Sequence, residues 1–232
     1  MRNLPQMRIA FWVVLSIAMV LPFSLSIIYF VVFDKSSEVR SMYIITKLIM
    51  ILFPLVVFRY FFSNPPAFIS PKNIMRTILT GLGTGLIMSV FILLLMKTPL
   101  FLILASATPE IKMKIASFGL ENVFILFSLV LSVVHSMFEE YYWRWFVFGS
   151  LFSRLRLPWA IILASAAFTA HHVVILSQIF SVLWMILGGI SVFAAGVIWC
   201  LHYHNQHSIL GAWISHVLVD LCLMGIIYIV AF

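Results

Sequence analysis

The sequence predicts an all-α fold, a polytopic membrane helical bundle with room for seven or eight transmembrane helices and a single domain. Two observations carry that prediction. Of 232 residues, 64% are hydrophobic and 9% are charged, whereas soluble domains carry about 25% charged residues. The apolar residues are also gathered into runs of about 20, the length that crosses a hydrocarbon core of about 30 Å as a helix.

Taken in order, the runs place spans at 9–33, 42–62, 74–96, 123–152, 159–178, 182–201 and 209–232. Arg2 and Arg8 precede the first, as in a signal peptide, but its apolar run exceeds the usual 7 to 15 residues and reads as a retained helix. Pro22 and Pro54 predict kinks in the first two spans. Lys47 lies close enough to a helix end to snorkel. In the third span Gly81, Gly83 and Gly85 include a pair four apart, the spacing that lets a membrane helix approach a neighbour closely. Residues 99–120 are too short and too mixed for a span and read as an interfacial or re-entrant piece on the outer side. Residues 1–121 thus supply amino-terminal helices and an outer loop, and 122–232 the helices with polar motifs. No repeat or low-complexity tract is evident.

The net charge of +7 reflects topology. Arg2, Arg8, Arg59, Lys72, Arg76, Arg154 and Arg156 fall in the amino-terminal tail and the second and fourth connections, without an acid among them. On the other side Lys35, Arg40, Lys97, Lys112 and Lys114 are balanced by Asp34, Glu38, Glu110 and Glu121. Positive residues stay cytoplasmic, which puts the amino terminus inside and, with seven spans, the carboxyl terminus outside. Basic residues spread over short connections form no stripe for nucleic acid, so no nucleic-acid partner is expected. Cys200 and Cys222 lie in or at the end of apolar spans and read as small hydrophobes.

The informative residues are the charged ones inside the spans. A charge near the bilayer centre costs roughly 2.5 to 3.5 kcal/mol even on the lenient insertion scale, so it is kept where it pairs or does chemistry. The chain has seven carboxylates, and Glu139, Glu140 and Asp220 sit in apolar runs together with Arg144, His172 and His216. In the fourth span, FEEYYWRW, Glu140 and Arg144 are one helical turn apart in the favourable order for an ion pair. Glu139 is rotated about 100° away, with His135 one turn before it on the same face. A desolvated carboxylate is a stronger base than an exposed one. The competing reading is that both acids only bind Arg144 and hold helices together. Tyr141, Tyr142, Trp143, Trp145 and Phe146 read first as an interfacial aromatic belt and second as the lining of a cavity entrance.

The fifth span supplies FTAHH, with Phe168 and His172 on one face and His171 pointing elsewhere. Taken alone, His172 reads as a helix-bridging hydrogen bonder. The seventh supplies HVLVD, with His216 and Asp220 one turn apart, an orienting pair or half a metal site. At about 1.5 Å per residue, Glu139 lies roughly 21 Å above Ser153 and His172 roughly 20 Å above Trp159, depths at which all could line one cavity.

EExxxR at Glu139, Glu140 and Arg144, FxxxH at Phe168 and His172, and HxxxD at His216 and Asp220, in this order, resemble the CAAX protease and bacteriocin-processing family of intramembrane glutamic endopeptidases. Each motif is weak alone and the three together are specific; they cover 123–232. The resemblance implies an intramembrane protease of a prokaryotic plasma membrane, with about eight helices, the extra one falling near 99–108. Glu139 would be the general base that activates water, and His172 would hold and polarise that water. His216 and Asp220 would form the oxyanion hole, and Glu140 and Arg144 would support the site. Eukaryotic prenyl-protein proteases of the family carry asparagine in place of Asp220, and an ionised aspartate cannot donate to an oxyanion, so Asp220 is either protonated or orients His216.

No cofactor is expected on this reading. The alternative is a zinc protease with Glu139, His172 and His216 as ligands, against which stands the lack of an HExxH pair. A non-enzymatic proton relay or peptide-binding immunity protein is the other alternative; a transporter would show repeated halves with broken helices. The implied partners are membrane lipid and a hydrophobic or lipid-anchored protein tail.

Overall fold

The computed structural model describes residues 4–32, 39–61 and 71–232. Arg2 and the connection bearing Asp34, Lys35 and Glu38 lie outside the described residues, as does the end of the second expected span. All regular structure among the described residues is helical. The helices are α1 (Leu4–Ile27, continued by a π-helical turn Ile28–Val32), α2 (Val39–Phe61), α3 (Ile74–Leu95), α4 (Leu100–Ser106), α5 (Thr108–Ser117), α6 (Phe124–Phe152), α7 (Leu157–Ser177), α8 (Val182–Gln206) and α9 (Leu210–Ala231).

Six of these, α1, α3, α6, α7, α8 and α9, are long and apolar enough among the described residues to cross a membrane. The other expected span falls on α2, a helix of 23 residues. A helix does fall near 99–108, where the eighth was expected: α4 has seven residues, roughly 10 Å of helix, too short to cross a membrane by itself. Element ends follow local chemistry. The Asn73 side chain caps α3 by accepting the Arg76 N–H at 2.9 Å, and α5 ends at Gly119, whose φ of 64° suits a residue without Cβ. The structure extends α8 five residues beyond the expected 201. The added turn carries His202 and Gln206, whose polar atoms bond the Thr84 and Thr80 hydroxyls of α3 at 3.0 and 2.8 Å.

The chain divides into two interleaved compact units, 1–68 with 141–201 and 69–140 with 202–232. The division cuts α6 after Glu140 and α8 after Leu201.

In the first unit α1 packs on α7 and α2, and the second half of α6 packs on α2 and α7. Pro22 and Pro54 lie inside α1 and α2, fully buried. A proline cannot donate to the carbonyl four residues back. For Pro22 that carbonyl belongs to Ala18, and the Tyr142 hydroxyl donates to it at 2.7 Å. The Tyr141 hydroxyl donates at 2.9 Å to the carbonyl of Ile51, in the turn that Pro54 interrupts.

In the second unit α9 is central and packs on α3, α5 and the first half of α6. Its contact with α3 runs through small residues. A Cβ on Gly81 would stand 2.7 Å from the Gly211 carbonyl oxygen, and one on Gly85 would stand 3.0 Å from the Ser215 Cα, whereas Gly83 faces open space. Gly81 and Gly85 are therefore the packing pair. The Ser89 hydroxyl adds a bond to the Leu218 carbonyl at 3.2 Å. At the far end Phe124 of α6 meets Tyr228 and Phe232 of α9, with ring centroids 6.3 and 5.4 Å away.

Candidate active site

Two faces of α9 do different work. Gly211, Ser215 and Leu218 meet α3, while Trp213, His216 and Asp220, spaced by one helical turn, belong to the side that meets α6. His216 is buried at 3% exposure among three carboxylates. Its Nδ1 lies 2.8 Å from Glu140 Oε1. Its Nε2 lies 3.7 Å from Glu139 Oε2 and 3.6 Å from Asp220 Oδ1. A carboxylate accepts, so Nδ1 carries the proton and donates to Glu140. Glu139 and Glu140 are themselves buried, and His135 Nε2 stands 3.2 Å from Glu139 Oε1. The second unit thus brings together His135, Glu139, Glu140, His216 and Asp220.

The local conformation of α6 around the two glutamates is unusual. Ser136–Glu140 is α-helical, but it is preceded by a π-helical stretch, Leu131–His135, and followed by another, Tyr141–Phe148. A π-turn exchanges i→i+4 for i→i+5 bonds, puts the carbonyl ladder out of step and is frequent at functional sites. The Ser136 hydroxyl bonds the Ser132 carbonyl within the first of these stretches.

The first unit holds the remaining motif residues. Arg144, 1% exposed, places its guanidinium 4.3 Å from the Phe168 ring centroid and 4.9 Å from that of Trp199. Both separations suit cation–π attraction. His172 Nδ1 lies 3.0 Å from the Phe168 carbonyl oxygen. The carbonyl can only accept, so Nδ1 is the protonated nitrogen and a neutral ring keeps its lone pair on Nε2. The expectation that His171 points away from His172 is corrected: the two ring centroids are 4.1 Å apart, and His171 stacks on Trp143 at 5.2 Å and 8°. The helix period alone gave the backbone direction and not the rotamer that stacking selects.

The aromatic-belt reading is also corrected. Tyr142, Trp143, Trp145 and Phe146 are buried, and Phe58 of α2 packs on Trp145 and Phe146 at 4.4 and 5.6 Å. A helix apolar on every side belongs inside the protein, and here the tyrosine hydroxyls are taken up by the proline-freed turns of α1 and α2. Sequence reasoning missed Trp199 and the Glu140–His216 bond. Nothing in HVLVD says which of three carboxylates the imidazole chooses.

The comparisons with known proteins fall on this stretch. Residues 121–222 match the family described as type II CAAX prenyl endopeptidase Rce1-like. That segment includes every motif residue described above, from His135 to Asp220. No curated protein and no solved structure matches the chain.

Proposed function

We propose that the protein is an intramembrane endopeptidase that hydrolyses a peptide bond near the membrane-associated tail of a hydrophobic or lipid-anchored protein. The observation that carries the reading is the His216 imidazole held at Nδ1 by Glu140 with Glu139 and Asp220 at its other edge, within the Rce1-like segment. A buried set of this kind has a high insertion cost and supports chemistry more readily than simple helix pairing.

In the proposed reaction Glu139 removes a proton from a water molecule as that water attacks the scissile carbonyl carbon. His172, with Nδ1–H tied to its own helix, offers Nε2 to hold the same water. The new C–O bond places negative charge on the former carbonyl oxygen, and His216 Nε2, in a doubly protonated ring, donates to it while Nδ1–H stays on Glu140. Asp220 in its acid form supplies a second donor. Collapse of the intermediate returns the proton through Glu139 to the leaving amine. Glu140 acts by fixing the imidazole, a role the motif alone assigned only loosely. The prenyl-endopeptidase description of the family favours a lipid-modified tail as substrate, and the basic connections favour a site that opens to the cytoplasm, with the amino terminus inside.

The deciding experiment compares wild-type and Glu139→Gln protein, purified and folded, on hydrophobic and prenylated peptides, with comparative proteomics of membranes carrying each form. Turnover should fall by roughly 10²-fold or more, and an uncut tail should accumulate. A folded Glu139→Gln protein with wild-type turnover would remove Glu139 as the base. The zinc reading, with Glu139, His172 and His216 as ligands, predicts that a strong chelator abolishes turnover and that zinc restores it; the glutamate mechanism predicts turnover undiminished by chelator.

A further inference from the structure

In the first π-helical stretch of α6, Leu131–His135, the Val133 carbonyl accepts from another helix. The Trp213 indole Nε1–H of α9 donates to the Val133 carbonyl at 2.9 Å. Val133 precedes His135 by two residues, and His135 contacts Glu139. Trp213 precedes His216 by one turn on the same helix, and His216 holds Glu140 and faces Glu139. One side-chain-to-backbone bond therefore links the stretch just before the glutamates to the turn just before the histidine. Tryptophan in a membrane protein ordinarily turns its N–H toward the headgroup region; here that donor is spent on a main-chain carbonyl of the π-helical stretch, which also accepts from the Ser136 hydroxyl at 3.3 Å.

We infer that Trp213 is a positioning residue: its hydrogen bond to the π-helical turn of α6 fixes α9 so that His216 Nδ1 stays on Glu140 and Nε2 stays beside Glu139. The physical argument concerns length and direction. The α3 contact of α9, a close small-residue seam with the Ser89–Leu218 bond, holds one side of the helix. A directional bond on the α6 side pins the rotation and the axial position of α9. The catalytic half of the inference rests on the peptidase reading; the placement of the imidazole does not.

The test uses the full chain in lipid nanodiscs, labelled with ¹⁵N-histidine, the His216 ring signals being identified by their loss in His216→Gln. Trp213→Phe keeps an aromatic ring, though a smaller one, and removes the N–H, and Trp159→Phe, at an exposed position of α7, is the control for the loss of ring size. The expected result is a shift or loss of the His216 Nδ1–H signal in Trp213→Phe alone. With it kcat should fall about tenfold while KM stays within about twofold, the signature of a misplaced group that does not bind substrate. Where Trp213→Phe does not fold, benzothienylalanine at 213, which replaces N–H by sulfur in the same ring shape, makes the comparison. Unchanged His216 signals in either folded variant overturn the inference, and changed signals with unchanged kcat overturn its catalytic half. A wild-type protein without peptidase activity defeats the peptidase reading, and the ring signals then decide the placement by themselves.

Discussion

The aromatic half of α6 and the α3–α9 seam solve the same problem in opposite ways. In lipid there is little hydrophobic gain in pressing two apolar helices together, so packing and polar contacts must do it. Along α3 and α9 the solution is subtraction: Gly81 and Gly85 remove side chains until backbone meets backbone. Along Tyr141–Phe148 the solution is addition: large rings fill the interior and two hydroxyls satisfy the turns that Pro22 and Pro54 open in neighbouring helices. The seam tolerates nothing larger than hydrogen at two positions, whereas the aromatic region depends on particular donors.

Substitutions can break that contrast, and the largest effect is expected at the seam. Gly81→Leu should destabilise by about 3 kcal/mol or more, because the colliding atom is the Gly211 backbone oxygen, which cannot rotate away. Gly83→Leu, over open space, should stay within about 0.5 kcal/mol. Denaturation of both in detergent, monitored by tryptophan fluorescence, measures the gap, and equal losses would refute the seam.

Tyr142→Phe should cost about 1 to 2 kcal/mol, since it strands a buried carbonyl. The same substitution in a Pro22→Ala background should cost about 1 kcal/mol less, because the alanine N–H can bond Ala18 again. Additive losses would show that the hydroxyl does not serve the proline. Tyr141→Phe should cost less, about 1 kcal/mol, its side chain being only half-buried. At the small end, His207 holds a left-handed backbone with φ of 52° just after α8. His207→Gly should raise stability by about 1 kcal/mol or less, seen as a higher melting temperature.

Much of this was legible in the sequence, for identifiable reasons. The spans 74–96, 123–152 and 209–232 match α3, α6 and α9 within about one residue because the bilayer fixes how long an apolar run must be. The pair His135–Glu139 was legible because four-residue spacing on a helix brings side chains together. What was not legible depended on tertiary choice. Nothing in EExxxR says that Glu140 bonds His216, 76 residues further along the chain. The aromatics were misread because composition is the same for a ring at the headgroups and a ring in the interior. One signal was available: a proline inside a helix leaves a carbonyl that needs a donor, and a tyrosine pair nearby in the fold can supply one.

The bond between the Tyr142 hydroxyl and the Ala18 carbonyl exists because residue 22 is proline. A relative with an ordinary amide at that position has no such need, and phenylalanine would fit there equally well. Proline in the first helix and tyrosine two places after the paired glutamates should therefore be inherited or abandoned together.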